Sequence, residues 1–246
     1  PIERFPALKC IQVTSAGLDR VPLDYCKAHG ITVYNAGGVY SAPMAEFVLG
    51  GILQLYKESK FFAENQAAHR WEKHRGLREL SGKTACIIGT GSVGSAIARR
   101  LRAFDVQTVG VNRSGHLAAE FDQTQPTCRL DDLLPLADLV ICAMPLTAET
   151  AGLFDSVRIA KIKSGAVFVN VARGKVTDQQ ALVEALQSGQ LSGAVLDVFE
   201  EEPLPRSSPL WDMEQAILTP HNSFVGEHNG ERLFRLICKN LESFAQ

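Results

Sequence analysis

The passage from residue 84 to residue 101 constrains this chain more tightly than any other. Thr84-Ala-Cys-Ile-Ile88 is a compact apolar run that leads straight into Gly89-Thr90-Gly91-Ser92-Val93-Gly94, and a helical pattern follows at once over residues 95–101. Glycine turns are common, and a plain βα turn is the competing reading. A glycine turn lodged between a strand and a helix start is, however, the context that a dinucleotide-binding unit requires. Gly89 allows the tight turn, Gly91 lets the backbone approach a pyrophosphate, and Gly94 permits close helix–strand packing. The helix N-terminus adds free N–H groups and partial positive charge for the phosphates.

Around this unit the patterning alternates. Further strands are expected from Val106, Asp138, Ala166, Gly193 and Ala216, with helical segments between most of them. That order predicts an α/β fold with a doubly wound parallel sheet. Ahead of it, residues 8–13, 21–29 and 31–34 read as strand, helix and strand. Met44, Phe47, Val48, Ile52 and Leu55 predict one long crossover helix over residues 44–68. A charged segment, residues 70–81, precedes the first strand of the cofactor unit, and a final helix over residues 227–244 returns to the opening one. The expected organisation is one domain inserted into another: 44–224 for the dinucleotide, 1–43 and 225–246 for the substrate, the latter flavodoxin-like and incomplete.

Read alone, the glycine fingerprint calls for an acidic residue about twenty positions on, to hold the ribose of NAD. The next strand ends instead in Asn112-Arg113-Ser114, and no Asp or Glu occurs between Asp105 and Glu120. An uncharged residue followed by a planar cation and a hydroxyl suits a 2′-phosphate. A solvated loop with NAD bound less selectively is the other reading; the pattern favours NADP over NAD.

Three later stretches carry the chemistry: Val169-Asn-Val-Ala-Arg173-Gly, Asp197-Val-Phe-Glu-Glu-Glu202-Pro and Thr219-Pro-His221. Each follows or ends a short apolar run, at Ala166–Asn170, 193–197 and 216–219. In a parallel sheet the C-terminal strand ends line one edge, so a guanidinium, a carboxylate and an imidazole can meet in one crevice. A carboxylate that orients a histidine, beside an arginine that clamps an anion, is equipment for general acid–base chemistry on a small acid. Taken singly, each has a plain alternative: a surface ion pair for Arg173 and Glu202, an ordinary loop residue for His221. His29, His69, His74, His116 and His228 form no metal-ligand set with acidic or cysteine neighbours, and no metal is expected.

Charge and cysteine content narrow the setting. A formal net charge of −2 gives no case for nucleic-acid or membrane attraction. No apolar run reaches a bilayer-spanning length, and no signal-peptide pattern opens the chain. Cys10, Cys26, Cys86, Cys128, Cys142 and Cys238 show no ligand spacing. They read as reduced, mostly buried thiols of a cytoplasmic protein, with Cys86 and Cys142 as small core residues.

With the stretches above, Pro6-Ala-Leu-Lys9, Ala16-Gly17-Leu-Asp19, Gly30-Ile-Thr-Val-Tyr-Asn35, Met44-Ala-Glu46 and Met144-Pro145-Leu146-Thr147 complete an ordered set. The chain resembles the D-isomer-specific 2-hydroxyacid dehydrogenase family over nearly its whole length. The resemblance implies reduction of a small 2-keto acid to a D-2-hydroxy acid with NAD(P)H, by a homodimer. It implies Arg173, Glu202 and His221 as the catalytic trio, the Glu directly before proline being Glu202 rather than Glu200 or Glu201. Asp197 would meet the nicotinamide amide. The backbone amides of Ala16 and Gly17 would bind the substrate carboxylate with Arg173 and His221, while Met144, Pro145, Val171 and Ala172 would line the cofactor.

Two features depart from the family. Pro1 already lies inside the pattern, so the chain is expected to be part of a longer polypeptide. Tyr40 stands where many members carry a small polar residue, and could shape the pocket, stack on the cofactor side or merely pack. An NAD(H)-responsive corepressor of the same fold, or a non-catalytic fragment, would share the trio; the Arg113-Ser114 loop leans against the corepressor.

Overall fold

A computed structural model of the protein describes residues 2–18 and 20–245. Pro1, Asp19 and Gln246 lie outside the described residues, and with them the Asp19 position of the family stretch at 16–19. A small unit opens the chain: β1 (Cys10–Gln12), α1 (Leu23–Ala28) and β2 (Thr32–Tyr34), the two strands pairing in parallel. Two helices follow, α2 (Ser41–Tyr56) and α3 (Ser59–Ala67), where a single helix over 44–68 was expected. The apolar spacing explains the break. Lys57-Glu58-Ser59-Lys60 has nothing to bury, and Glu58 turns into the left-handed region at φ 51°. Lys57 Nζ and Lys60 Nζ then donate to the carbonyls of Arg78, Glu214 and Ala216.

The larger unit runs β3 (Thr84–Ile88), α4 (Ser92–Arg102), β4 (Gln107–Asn112), β5 (Gln123–Pro126), α5 (Leu130–Leu133), β6 (Leu139–Cys142), α6 (Ser156–Lys161), β7 (Ala166–Asn170), α7 (Gln179–Gln187), β8 (Leu191–Leu196) and β9 (Ala216–Leu218). These strands form one seven-stranded sheet in the order β5-β4-β3-β6-β7-β8-β9, parallel throughout. The order reverses between β3 and β6, so the crevice outside their C-terminal ends is where an open parallel sheet takes its ligand. β5 was not expected from the sequence; Gln-Thr-Gln-Pro has no apolar run because it forms an edge, where a proline is tolerated.

Alternation along the central strands sends side chains to two faces. Ile88, Val140, Cys142 and Phe168 join Ile159, Leu182 and Leu186 beneath α6 and α7. Ile87, Leu139, Ile141 and Val169 join Val48, Ile52, Ile97 and Leu101 beneath α2 and α4. Gly51 lets α2 lie against the sheet, since a Cβ there would stand 2.5 Å from Val195 Cγ1. Burial pushes the Cys86 thiol up to about 12, and Cys142 is raised for the same reason, which suits inert core residues. All six cysteines are free; Cys26 is also buried, Cys10 and Cys238 are half-buried, and Cys128 is exposed.

The last helix, α8 (Asn229–Ala245), returns to the small unit. Asn240 Nδ2 donates to Gln12 Oε1 at 2.7 Å, and Arg232 Nε donates to the Val39 carbonyl at 2.8 Å. Among the described residues, no helix is long and apolar enough to cross a membrane.

Candidate active site

The glycine turn shows three different reasons for glycine. Gly89 has φ 106°, and a Cβ on it would lie 2.5 Å from the Ala143 carbonyl oxygen at the end of β6. At Gly94 a Cβ would stand 1.9 Å from the Gly89 oxygen, so helix and turn touch backbone to backbone. Gly91 is unlike both. Its φ of −74° and ψ of −167° suit any residue, and a Cβ there would meet nothing within 4 Å. The protein's own packing therefore gives no reason for glycine at 91; a ligand approaching the backbone does. No side chain caps the start of α4, which leaves the first-turn N–H groups, including those of Ser92 and Val93, to an anion. The residues fit a dinucleotide pyrophosphate.

At the end of β4 the Asn112 side chain is tied inward. Its Nδ2 donates to Thr90 Oγ1 (3.2 Å) and to the His116 carbonyl (2.9 Å), while Oδ1 accepts from Gly115 N (2.7 Å). Asn112 thus joins the glycine turn to the 112–116 loop. Ser114 Oγ lies 3.2 Å from His116 Nδ1. The Arg113 side chain is 85% exposed and sits 3.3 Å from Glu149, itself 68% exposed. Such a pair is screened and weak, so a phosphate dianion can displace it. Glu149 was missed in the sequence because it belongs to another loop. Its carboxyl is held below its ordinary value by the Thr147 hydroxyl first, with smaller help from its own N–H and Arg113. Met144 is buried at the other wall of the turn, and the Pro145 carbonyl accepts from Thr150 Oγ1 at 2.7 Å.

The three chemical side chains come from loops after β7, β8 and β9. Asn170, buried at the end of β7, shapes the first loop: Oδ1 accepts from Ala172 N and Nδ2 donates to the Arg173 carbonyl, both at 3.0 Å. Val171 and Ala172 are buried, and Arg173 Nη1 donates to the Ala172 carbonyl at 2.8 Å, which turns its guanidinium back along the loop. Gly174 brings this loop onto the next. A Cβ at 174 would lie 1.8 Å from both the carbonyl carbon and oxygen of Phe199 and 2.4 Å from Glu200 N.

The second loop presents Glu202. Its Oε1 accepts from Phe199 N at 3.1 Å, and its Oε2 lies 2.8 Å from His221 Nδ1. Glu200 is engaged elsewhere, accepting from Gln179 N at 3.0 Å. With Nδ1 on the carboxylate, Nε2 is the ring nitrogen with no partner among the described residues. His221 has φ 51°, an uncommon conformation held by Asp197, whose carbonyl accepts from His221 N at 2.8 Å. The Asp197 carboxylate is 1% exposed and takes Thr219 Oγ1 (2.5 Å), Asn222 N (2.7 Å) and Ser223 N (3.0 Å). Its observed partners all belong to the loop that carries the imidazole. Thr219, Asn170 and Ser223 are positioning groups that the sequence reading did not single out.

In the small unit the Ala16 carbonyl accepts from Asn35 Nδ2 (2.7 Å) and the Gly17 carbonyl from Ser15 Oγ (2.9 Å). Their N–H groups donate to no described residue. Among the described residues, no cluster of three or more His, Cys, Asp or Glu side chains could hold a metal ion.

Known proteins resemble this chain in sequence and in fold. The sequence profile of the D-isomer specific 2-hydroxyacid dehydrogenase NAD binding domain matches residues 49–223. A glyoxylate reductase of Thermofilum pendens is 35% identical over 243 residues, 96% of this chain and 71% of the relative. A glyoxylate/hydroxypyruvate reductase B of Salmonella newport is 36% identical over 96% of this chain and 74% of its own length. Among solved structures, a D-isomer specific 2-hydroxyacid dehydrogenase family protein from Aeromonas salmonicida superposes with a TM-score of 0.85 at 36% identity, covering 97% of this chain and 76% of that one. An NADPH-dependent glyoxylate/hydroxypyruvate reductase from Sinorhizobium meliloti, solved with NADP and sulfate, gives 0.86 at 28% identity, over 99% of this chain and 77% of that one.

Proposed function

Because this chain belongs to the D-isomer specific 2-hydroxyacid dehydrogenase family, and is thus an NAD(P)-dependent oxidoreductase, we propose that it reduces a small 2-keto acid to the D-2-hydroxy acid with His221 as proton donor. The observation that carries this reading is the 2.8 Å contact between His221 Nδ1 and Glu202 Oε2. A carboxylate on Nδ1 orients the ring, so Nε2 of the protonated imidazole can deliver a proton to the ketone oxygen and take it back in oxidation.

Arg173 clamps the substrate carboxylate and polarises the ketone, and the amides of Ala16 and Gly17 hold the same carboxylate from the other unit. The bound nicotinamide supplies the hydride. Gly89, Gly91, Gly94 and the first turn of α4 receive its pyrophosphate, with Thr90, Met144, Pro145, Val171 and Ala172 along its length. Asp197 keeps one acceptor position for the carboxamide after its three loop partners, since a carboxylate offers about four. The absence of an acid at the end of β4, with Arg113 and Ser114 beside it, supports NADP over NAD. Glyoxylate and hydroxypyruvate, named for the relatives, head the substrate list.

The proposal includes the domain division at 43/44 and 224/225, a cytoplasmic setting and a homodimer. The free thiols support a reducing compartment. The dimer rests on the segment after α3, where Trp71 is 97% exposed beside a 790 Å³ cavity into which Asn65, buried with an unpaired Nδ2, is built. Light scattering of the purified chain reads its mass, and a monomer removes the dimer. NADPH oxidation with glyoxylate, hydroxypyruvate, pyruvate and branched 2-keto acids tests the reaction. Tight dinucleotide binding with no turnover of any of them would replace the enzyme reading with that of a nucleotide-responsive binding protein.

A further inference from the structure

Tyr40 ends the small unit and directly precedes α2, and its side chain touches both halves of the site. Its hydroxyl donates to the Thr14 carbonyl, just past the end of β1 and two residues before Ala16. Its ring meets Phe224 edge-on, with centroids 5.7 Å apart and planes at 85°. Phe224 in turn stands edge-on to the His221 imidazole, at 6.4 Å and 81°. A continuous path therefore runs from the loop of the Ala16 and Gly17 amides, through one phenol and one phenyl ring, to the proton donor. Asn35 stiffens the near end of this path, bonding the Ala16 carbonyl through Nδ2 and Gly37 N through Oδ1. The Asp197 network stiffens the far end.

We propose that Tyr40 is a positioning residue that sets the distance between the carboxylate-binding loop and the His221 imidazole, an inference that rests on the reaction assigned above. A 2-keto acid carries its carboxylate and its ketone on adjacent carbons. The group that grips the first and the group that protonates the second must therefore keep one fixed separation. They belong to different units of the chain, and a misplacement of about 1 Å at a reacting centre can cost on the order of a hundredfold in rate. The phenol hydroxyl is spent on Thr14, so Tyr40 acts through its two neighbours.

The two ends of the path are separable by substitution. Tyr40→Phe keeps the ring on Phe224 and releases Thr14, so the carboxylate-binding loop alone is freed. We expect KM for the 2-keto acid to rise about two- to tenfold, the scale of one hydrogen bond, and kcat to fall as the two groups lose their fixed separation, with KM for NADPH within twofold of the parent. Phe224→Leu keeps the Thr14 bond and loosens the imidazole, and lowers kcat with little change in keto-acid KM. Tyr40→Leu does both. Affinity of the NADPH-loaded protein for oxalate, a carboxylate that needs no turnover, should weaken in Tyr40→Phe by the same factor as KM. Thermal unfolding of each variant confirms that the fold is kept.

If Tyr40→Phe matches the parent in both keto-acid KM and oxalate affinity, the positioning role is overturned. It is equally overturned if that variant loses NADPH affinity in step, which is the mark of general loosening. A parent that turns over no 2-keto acid would sink the assigned reaction instead, while oxalate affinity would still decide the role of Tyr40.

Discussion

Replacing Gly91 with alanine separates what the fold needs from what its ligand needs. The added Cβ meets no protein atom within 4 Å, and the backbone at φ −74°, ψ −167° is open to any residue. The folded state is therefore unstrained; the freedom lost by the unfolded chain stabilises by about 0.4–1 kcal/mol, and the poorer capping of α4 by alanine offsets it by a similar amount. For a domain of this size the ligand-free Tm should stay within about 3 °C of the parent. The dinucleotide does not share this tolerance. A methyl group where the pyrophosphate should lie against the backbone displaces at least one charge-assisted N–H···O contact, of about 1.5–3 kcal/mol. NADPH Kd should rise roughly ten- to hundredfold. Differential scanning calorimetry of the ligand-free protein and fluorescence titration with NADPH read the two effects independently. Gly94→Ala is the control, because its Cβ would stand 1.9 Å from the Gly89 oxygen and should lower Tm without any ligand present. An unchanged Kd in Gly91→Ala would show that the pyrophosphate does not lie at this turn, and a ligand-free Tm lowered as far as that of Gly94→Ala would show that the space around residue 91 is not open.

Three further outcomes follow from the site. His221→Ala should cut keto-acid reduction by ~10²–10⁴-fold while leaving NADPH affinity nearly intact, and near-normal turnover would end the proton-donor assignment. Gly174→Ala drives a methyl to 1.8 Å from the Phe199 carbonyl, so the two loops must part by more than 1 Å; about 1–3 kcal/mol of stability and on the order of a hundredfold in kcat/KM should go together. Asn112→Asp combined with Arg113→Ala should move the ratio of kcat/KM for NADPH and NADH by roughly ten- to a hundredfold towards NADH, and a parent that already prefers NADH refutes the phosphate reading of Arg113.

What could be read from the sequence depended on whether the signal was local. The strands Thr84–Ile88 and Ala166–Asn170 are apolar apart from Thr84 and Asn170 at their ends, and their limits in the structure are those the sequence suggested. The glycine turn was legible because strand, glycines and helix are contiguous. Glu202 was chosen over its two neighbours only through family resemblance, since nothing in a run of three glutamates ranks them; the structure puts Glu202 on the imidazole and Glu200 on the first turn of α7. β5 escaped because an edge strand need not be apolar. Asp197 was read as a cofactor contact, and its hold on the 219–223 loop went unseen because two of its three partners there are backbone amides, which every sequence possesses. Asn170 did leave a trace, being an amide side chain at a strand end before a turn, a place where such residues bond nearby backbone. Glu149 could not have been paired with Arg113 by spacing, because the two loops meet only once β4 and β6 flank β3.

The interlock at Gly174 also bears on how this pocket can be rebuilt. The Arg173 loop and the Glu202 loop share a seam with no side chain between them, so neither has a surface of its own to be remodelled alone. An engineer grafting a foreign loop at 171–177 would import a curvature fitted to some other partner at 198–203, and the mismatch would fall on the Glu202–His221 pair. The two segments are best exchanged as a single cassette. In a library that randomises both, functional clones should show residues from the two segments selected together rather than independently.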